Sequence, residues 1–429
     1  MIILTLNSGS SSVKYAIWET PGSNPLCRGI VERVTQGGSG ITHRVPGRSE
    51  VRHFRECPTH EEALELVFEF ILSSEHGVLS DLGEITAVSH RVVSAGDRYT
   101  HSVLIDDDVI KAIEDNSFLA PLHNPANLMG IRAAMILMPA IPHTAHWDTI
   151  FSADFLPLHA RLYAIPYEYY LKYGIRRYGW QGLSHLYVAK RATALMGGSR
   201  EDLRIITLHI GNGSTVTAVK GGVPCDQSLG FSTCGEGLVM GTRCGDLDPM
   251  VPLFIMKQEN LTIDQVQEIL YRRSGVLGLT GKYVDRRDVI AAAANGDERA
   301  ATALQVECHR LKKYIGAYAA VMAGLDAVVF TAGVGENSPL HREWACEGLE
   351  FLGIKIDPES NRRAVGGQRE TEISSPDSRV RVFVIPTDEE LVMVEDTQAI
   401  LEGLYDVHTN FHYSFEDPSF VPTYCRTPG

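Results

Sequence analysis

Apolar and polar positions along the chain follow two periods, and their order predicts an α/β protein. Apolar residues at every third or fourth position predict helices at 59–72, 128–137, 262–271, 297–323 and 391–404. Thr59 and Glu62 have the spacing of a capping box at the start of the first of these. Runs rich in β-branched residues predict strands at 84–93, 142–145, 327–331 and 380–385.

One strand–turn–strand pattern occurs twice, about half the chain length apart. Residues 205–219 combine apolar, β-branched flanks with a Gly-Asn-Gly-Ser turn, and residues 4–17 repeat that pattern without a gap. Such turns expose backbone N–H groups that can bind phosphate oxygens. The repeat predicts two related α/β domains whose hairpin turns face a shared cleft. Chance similarity between two hairpins is the alternative.

Composition is that of a globular protein with more than one domain. The 429 residues are 44% hydrophobic and carry a formal net charge of −14, which argues against nucleic acid and anionic membranes as partners. No apolar run has the length of a membrane span, and Met1 leads directly into a strand without a signal sequence. The eight cysteines form no CxxC pair. We therefore expect reduced thiols in a cytoplasmic protein.

The candidate chemistry lies at strand ends and in glycine-rich segments. Arg91 lies near the end of the predicted strand 84–93, and Asp148 follows the predicted strand 142–145. Arg243 lies between glycines in the long loop 226–249, and Glu389 and Glu390 precede the last helix. Backbone amides, cations and a Mg²⁺ ligand are what phosphoryl transfer requires. For Arg91 a surface ion pair is the alternative, and for Asp148 a turn residue. No Walker A motif is present.

Three further segments have candidate structural or functional roles. His123 and Asn124 precede the helix at 128–137, and helix capping is the favoured interpretation. Residues 173–185 mix aromatic, glycine and basic residues, which is typical of a loop that lines a pocket. A strand, the glycines at 333–337 and Ser338-Pro339 predict a nucleotide-contacting turn before a helix.

Several ordered motifs together resemble the acetate kinase and propionate kinase family. They are NSGSSSVK at 7–14, HRVV at 90–93, PLHNPAN at 121–127, DT at 148–149, HIGNGS at 209–214, GTRCGDLDP at 241–249, GVGENS at 333–338 and IPTDEE at 385–390. The resemblance implies two ribonuclease H-like (actin-like ATPase) domains with a central cleft, each with a mixed sheet flanked by helices. We expect an N-terminal domain at 1–152 that is joined by the helix at 391–405, a nucleotide-binding domain at 153–390, and a tail at 406–429 with no assigned role.

The resemblance also implies a reaction, ATP + acetate = ADP + acetyl phosphate, by direct in-line transfer, together with roles for particular residues. Asn7 and Glu389 would hold Mg²⁺, for which Mn²⁺ could substitute. Arg91 would bind the substrate carboxylate, Asp148 would orient it or a metal-bound water, and Arg243 and Gln181 would act on the phosphoryl group. An apolar pocket would be lined by Val93, Leu122 and Trp180. ATP would be held by Ser10, Ser12, Lys14, His209, Ile210, Gly211, Asn212, Gly213, Asp285, Arg286, Arg287, Gly333, Val334, Gly335, Glu336 and Asn337.

The chain departs from the family pattern at four places. Gln181 replaces a histidine, so this position can donate only a neutral hydrogen bond, with an expected loss of about tenfold in rate. Ser94 and Ser152 also stand where histidines are expected. The segment 283–287 differs in a way that could change nucleotide preference, and the loop 231–237 is one residue longer.

Alternatives remain beside the acetate kinase interpretation. A propionate or butyrate kinase, a nucleotide-binding sensor that has lost transfer, and a kinase that uses pyrophosphate are the other hypotheses. Trp180 in place of the family's phenylalanine narrows the pocket and favours acetate. By the same resemblance we expect a cytoplasmic homodimer that takes part in acetyl-CoA biosynthesis.

Overall fold

The protein is described here from a computed structural model that covers residues 1–22, 24–197, 199–233, 235–367, 369–408 and 410–422. The described chain divides into two compact units. Unit 1 consists of Met1–Ala153, Asp388–Ser414 and the described residues 421 and 422. Unit 2 consists of the described parts of Asp154–Thr387 and of Phe415–Phe420.

The strands and helices are numbered in chain order. The strands are β1 (Ile2–Gly9), β2 (Ser12–Glu19), β3 (Pro25–Glu32), β4 (Gly40–Arg44), β5 (Val51–Phe54), β6 (Ile85–Val92), β7 (Val103–Leu104), β8 (His143–Trp147), β9 (Arg204–Ile210), β10 (Ser214–Lys220), β11 (Val223–Gln227), β12 (Ala327–Thr331), β13 (Thr371–Glu372) and β14 (Arg381–Val384). The helices are α1 (His60–Ile71), α2 (Asp107–Asp115), α3 (Asn124–Leu137), α4 (Leu158–Arg161), α5 (Tyr167–Tyr173), α6 (Gly182–Met196), α7 (Met250–Gln258), α8 (Ile263–Arg272), α9 (Gly275–Thr280), α10 (Arg286–Ala294), α11 (Glu298–Val321), α12 (Ala332–Asn337), α13 (Pro339–Cys346), α14 (Pro358–Arg363) and α15 (Glu389–Leu401).

Unit 1 is built on an eight-stranded mixed sheet in the order β5-β4-β3-β2-β1-β6-β8-β7. Strands β1, β6 and β8 run parallel, and the remaining neighbours are antiparallel. The core between the sheet and helices α1 and α3 contains a large apolar cluster, with Leu6, Ile17, Leu64 and Ala134 among its buried members. Because parallel neighbours end at one edge, the residues that follow β1, β6 and β8 come together there.

Unit 2 is built on a six-stranded mixed sheet in the order β11-β10-β9-β12-β14-β13. Strands β9, β12 and β14 run parallel, while β10 and β11 pair antiparallel on the other side of β9. Helix α11 covers one face of this sheet and buries Leu311 and Ile315 against residues such as Val328 and Phe330.

The same strand order occurs in both units. An antiparallel three-stranded meander is followed by two parallel strands on the far side of its first strand, in β3-β2-β1-β6-β8 and in β11-β10-β9-β12-β14. The prediction of an α/β protein with two related domains, each a mixed sheet flanked by helices, is confirmed. The predicted cleft and the domain boundaries at 152 and 390 stay predictions.

The five helices predicted from apolar periodicity are present as α1, α3, α8, α11 and α15, but the structure has further helices that this periodicity did not predict. The Thr59 hydroxyl accepts from the Glu62 N–H and the Glu62 carboxylate accepts from the Thr59 N–H, so the predicted capping box is present. The prediction of a loop over 173–185 was wrong at its end, since α6 begins at Gly182. The glycines at 333–337 were predicted as a turn, but they form the short helix α12. In the described part of the chain, no helix is both long and apolar enough to cross a bilayer.

Candidate active site

Arg91 and Asp148 lie at the ends of two neighbouring parallel strands of unit 1. Arg91 is the penultimate residue of β6, and Asp148 directly follows β8. The Asp148 N–H donates to the Val92 carbonyl (3.0 Å), which extends the parallel pairing by one residue beyond β8. The sheet register therefore places these two side chains at one edge of the sheet.

A two-pronged ion pair joins the two side chains. Arg91 donates from Nε to Asp148 Oδ1 at 2.8 Å and from Nη2 to Asp148 Oδ2 at 2.7 Å. Burial raises the pKa of Asp148 to about 6, Arg91 opposes that rise, and Glu389 adds to it. Burial alone would lower the pKa of Arg91, but Asp148 and Glu389 outweigh it and raise the value. The carboxylate thus holds the guanidinium in one orientation.

The two predicted metal ligands lie beside the same guanidinium. Glu389 Oε2 is 3.5 Å from Arg91 Nε, and Asn7 Oδ1 is 3.5 Å from Arg91 Nη1. Asn7 comes from β1, and Glu389 is the first residue of α15. Three elements distant in sequence therefore contribute oxygen atoms around Arg91.

Asp388 and Glu390 complete a run of three carboxylates at the start of α15. Asp388 caps that helix by accepting from the Leu391 N–H at 3.2 Å. Burial and the neighbouring charge of Glu390 raise the pKa of Asp388 to about 7. Burial also raises the pKa of Glu390, against the opposing effect of Arg28. The half-buried carboxylates of this run therefore influence one another's protonation.

Sequence reasoning missed two asparagines that brace these strand ends. Asn127 accepts from the Val93 N–H at 3.2 Å and donates to the Ser8 carbonyl at 2.8 Å. Asn124 accepts from the Ser94 N–H at 3.3 Å and donates to its carbonyl at 2.8 Å. The predicted capping role of the 123–124 pair was wrong, because α3 has no side-chain hydrogen bond at its N-cap. Two asparagines three residues apart at a Pro-opened helix were the available signal.

The predicted apolar pocket residues have different exposures. Val93 is buried and Leu122 is 37% exposed, and both belong to unit 1. Trp180 belongs to unit 2, is buried, and donates from Nε1 to the Gly230 carbonyl at 2.9 Å. Their role in substrate binding stays a prediction.

The second hairpin turn, between β9 and β10, has two polar side chains beside it. A Cβ atom on Gly213 would lie 2.9 Å from Arg243 Nη2 and 3.4 Å from Gln181 Nε2. The Gly211 N–H donates to the Gly213 carbonyl at 3.0 Å, which closes the turn tightly. A glycine leaves room here for the guanidinium and the carboxamide, which a side chain would displace. Unit 2 thus brings Arg243, Gln181 and the predicted phosphate-binding turn together.

Hydrogen bonds to its backbone N–H and carbonyl groups hold the loop that carries Arg243. The Gly241 N–H donates to the Asn212 carbonyl at 3.1 Å, which ties the loop to the turn. Asp246 accepts from the Gly237 N–H at 2.7 Å, and Arg310 donates to the Gly237 carbonyl at 2.9 Å. Arg243 itself donates from Nη1 to the Thr233 carbonyl. The described residues of the predicted loop that follow the end of β11 at Gln227 are therefore held in place without regular secondary structure.

A cavity of about 890 Å³ in unit 2 adjoins this turn. Its walls contain most of the residues predicted to contact the nucleotide, namely His209, Gly211, Asn212, Asp285, Arg286, Arg287, Gly333, Val334 and Asn337. Apolar residues in its walls are Val284, Ile290 and Leu340. His209 Nδ1 bonds to Ser184 Oγ at 2.8 Å, which leaves its Nε2 edge on the side of the turn. Size and lining suit a nucleotide.

Other residues predicted for nucleotide binding have structural partners. Arg286 forms a buried ion pair with Glu307, from Nη2 to Oε1 at 2.9 Å. Glu336 accepts from the Ala332 N–H at 2.8 Å and from the Thr387 N–H at 3.3 Å, so it braces the ends of β12 and β14. The remaining members of the set line no part of the described cavity: Ile210, Gly213 and Gly335 in unit 2, and Ser10, Ser12 and Lys14 at the first hairpin of unit 1. Their nucleotide contacts stay predictions.

Comparison with known proteins identifies the family. The sequence pattern of the Acetokinase family matches residues 2–395. An acetate kinase from Geobacter metallireducens is 53% identical over 421 residues, which is 98% of this chain and all of that protein. The crystal structure of Porphyromonas gingivalis acetate kinase superposes with a TM-score of 0.87 at 43% identity, over 93% of this chain and 99% of that one. A propionate kinase from Francisella tularensis gives a TM-score of 0.84 at 35% identity, over 91% and 97% of the two chains. The predicted family is confirmed, and the chain belongs to the acetokinase family.

Proposed function

We propose that the protein is an acetate kinase, which catalyses ATP + acetate = ADP + acetyl phosphate. The observation that carries this proposal is the convergence of Arg243 Nη2 and Gln181 Nε2 on Gly213, beside a nucleotide-sized cavity. A guanidinium and a carboxamide N–H at a tight turn are suited to an anion whose charge is spread over several oxygens. The acetate kinases with which the chain is similar over nearly its whole length support acetate as acceptor.

In the proposed reaction an acetate oxygen attacks the γ-phosphorus of ATP in line. The new bond joins that oxygen to phosphorus, and the bond that breaks joins phosphorus to the β–γ bridging oxygen, which leaves with ADP. No proton has to move, so no general base is required. What the protein supplies is orientation and neutralisation of charge.

Arg91 is proposed to hold the acetate carboxylate. Its Nε and Nη2 face Asp148 and one Nη1 hydrogen faces Asn7, so the second hydrogens on Nη1 and Nη2 are the donors that remain for substrate. Asp148 fixes the plane of the guanidinium and thereby the direction of those donors. In this geometry Arg91 makes its bidentate contact with Asp148 and not with the substrate. Val93, Leu122 and Trp180 are proposed to surround the methyl group.

Arg243 and Gln181 are proposed to bind the phosphoryl group during transfer. Arg243 supplies a charge that stays fixed at every physiological pH, since a guanidinium does not lose its proton there. Gln181 supplies a neutral donor. The N–H groups of residues 212 and 213 and the His209 imidazole complete the set of donors for the phosphates of ATP.

The oxygen atoms of unit 1 suit Mg²⁺, which we propose as the cofactor with Mn²⁺ as a substitute. Asn7 and Glu389 would hold the ion, and Asp148 would accept from one of its waters. Bound Mg²⁺ supplies charge neutralisation on the phosphate oxygens. Among the described residues, no three His, Cys, Asp or Glu side chains form a metal site. That fits an ion that keeps several waters and takes its other ligands from phosphates.

An assay that traps acyl phosphate as its hydroxamate tests the proposal directly. Wild-type protein with Mg²⁺-ATP and acetate should form acetyl phosphate, and propionate and butyrate should be poorer acceptors. Arg91→Ala and Arg243→Ala should each lose more than about 99% of turnover, because each removes a charged donor from a reacting group. Arg52→Ala is the matched control, since that guanidinium is 70% exposed and pairs only with Glu50 in the described structure. Absence of product with every acid would refute the proposal.

We also propose a homodimer, for which helix α7 provides support. Its side chains Met250, Leu253 and Phe254 are 62%, 56% and 62% exposed, which is unusual for apolar residues on one short helix. Light scattering should give twice the chain mass, and Phe254→Asp should give the mass of one chain. A wild-type mass of one chain would contradict this part of the proposal.

A cytoplasmic location and a role in acetyl-CoA biosynthesis belong to the same proposal. The described cysteines Cys27, Cys57, Cys225, Cys244, Cys308 and Cys346 are free thiols, as is usual in a reducing compartment. Acetyl phosphate is an activated acyl donor, so an enzyme that transfers the acetyl group to a thiol could consume it. Fractionation of cells with an antibody against the protein would test the location.

A further inference from the structure

Behind Gln181 lies a row of three buried polar side chains that the proposed reaction does not use. Thr207 of β9 bonds through Oγ1 to His185 Nδ1 at 2.7 Å. His185 Nε2 bonds to Thr215 Oγ1 of β10 at 2.6 Å, and Thr215 Oγ1 donates to Gln181 Oε1 at 2.6 Å. Thr207, His185 and Thr215 are fully buried. An unbroken row of short hydrogen bonds thus leads from the sheet to the carboxamide.

The hydrogen atoms in this row can be placed by counting donors. Burial lowers the pKa of His185 well below its ordinary value, and His209 adds to the effect, so the ring is neutral with one donor and one acceptor. If Thr207 donates to Nδ1, then Nε2–H donates to Thr215, and Thr215 donates to Oε1 of Gln181. Every hydrogen then has an acceptor. The reverse direction would leave the buried Thr207 hydroxyl without an acceptor among the described residues, which is costly.

This direction decides which end of the Gln181 carboxamide faces the hairpin turn. With Oε1 held by Thr215, Nε2 is the end that lies near Gly213, beside Arg243 Nη2. Its N–H groups have no acceptor in the described part of the protein. The Gln181 backbone has a φ of 59°, a strained left-handed conformation for a residue with a side chain. Such strain is typical of a position that is fixed by function.

We propose that Thr207, His185 and Thr215 are positioning residues that hold the Gln181 carboxamide with Nε2 toward the phosphoryl group. A carboxamide has an acceptor end and a donor end of nearly equal shape. If it rotated by half a turn, its oxygen would face the phosphate and repel it. The buried row removes that alternative. This inference rests on the proposed function and deepens it, because it names the residues on which the neutral donor depends.

Removal of one hydroxyl tests the inference. Thr215→Val should lower kcat by about five- to tenfold with little change in KM, since one neutral hydrogen bond is lost behind a group that acts in transfer. Thr215→Ser keeps the hydroxyl and should restore most of kcat. The matched control is Thr217→Val, two residues along the same strand. Thr217 is equally buried, but its hydroxyl has no hydrogen-bond partner in the described structure. Its kcat should stay within about twofold of wild type.

A double variant separates positioning from general support of the fold. Thr215→Val combined with Gln181→Ala should be no slower than Gln181→Ala alone, because the row of Thr207, His185 and Thr215 (the relay) acts only through that carboxamide. If the kcat of the double variant is instead lowered by the product of the two single-variant factors, the proposal is wrong. A Thr217→Val variant that loses as much kcat as Thr215→Val would also overturn it.

A structural measurement tests the relay apart from catalysis. High-resolution crystal structures of the wild type and of Thr215→Val should show a carboxamide with Nε2 toward Gly213 in the first and a rotated or doubled one in the second. If the wild type makes no acyl phosphate, the proposed function fails and this comparison still decides the relay. An unchanged carboxamide in Thr215→Val would refute it.

Discussion

Replacement of Asp148 by asparagine tests the electrostatics of the substrate site. The substitution keeps the shape of the side chain and one oxygen acceptor for Arg91, but it removes the buried charge. Arg91 does not lose its only counter-charge, because Glu389 Oε2 lies 3.5 Å from its Nε. The effect on stability should therefore come mainly from the carboxylate itself.

The magnitude follows from the pKa of Asp148, which rises from its ordinary 3.8 to about 6 in the folded protein. The cause is first burial and then the charge of Glu389, which together outweigh the attraction of Arg91. A carboxyl group with a raised pKa binds its proton more tightly in the folded state than in the unfolded state. Its contribution to stability is thus fully present below pH 4 and is lost as pH rises through 6. A rise of this size corresponds to about 3 kcal/mol.

Urea unfolding of the ligand-free protein at a series of pH values measures this effect. Between pH 4 and pH 7 the free energy of unfolding of Asp148→Asn should gain about 3 kcal/mol relative to wild type, because the asparagine does not titrate. Asp108→Asn, whose carboxylate is 70% exposed in the same unit, should follow the wild-type curve. Parallel curves for Asp148→Asn and wild type would refute the reasoning. Activity is a separate readout, and Asp148→Asn should lose at least about 100-fold in kcat because the orientation of Arg91 is weakened.

Three other predictions concern single contacts. Gly213→Ala should change the free energy of unfolding by less than about 1 kcal/mol but lower kcat about tenfold. The added Cβ would lie 2.9 Å from Arg243 Nη2, so the long arginine side chain must move. Thermal unfolding checks the stability and the hydroxamate assay checks kcat, and a normal kcat would contradict the prediction. Arg286→Met should lower the free energy of unfolding by about 3–5 kcal/mol, because it leaves the Glu307 carboxylate buried without its charged partner. Urea unfolding measures this loss, and a value below about 1 kcal/mol would contradict a stabilising role for the ion pair. Removal of divalent cations with EDTA should abolish turnover, and Glu389→Gln should raise the Mg²⁺ concentration for half-maximal rate about tenfold or more; titration of Mg²⁺ shows this, and an unchanged midpoint would place the ion elsewhere.

The sequence by itself determined part of the helices and strands, the repeated hairpin and the family. Helix and strand periods are local properties, so capping at Thr59 and the long helix at 297–323 were found within one or two residues of α1 and α11. The repeated hairpin predicted two related units, because the same strand–turn–strand signal requires the same local pairing. Glycines misled the prediction at 333–337. Glycine favours turns, but the end of β12 and the packing of α12 and α13 outweigh that preference.

Only the tertiary structure decided which side chains meet. No sequence period links Arg91 to Asp148 or to Glu389, since they come from different strands and a distant helix that the sheet brings to one edge. The direction of the Gln181 carboxamide likewise depends on hydrogen bonds from two strands, which a local pattern does not encode. Periodicity reflects the environment of one segment at a time. The chemistry of the site depends on long-range contacts, which arise only when each sheet has folded and its parallel strands end at the same edge.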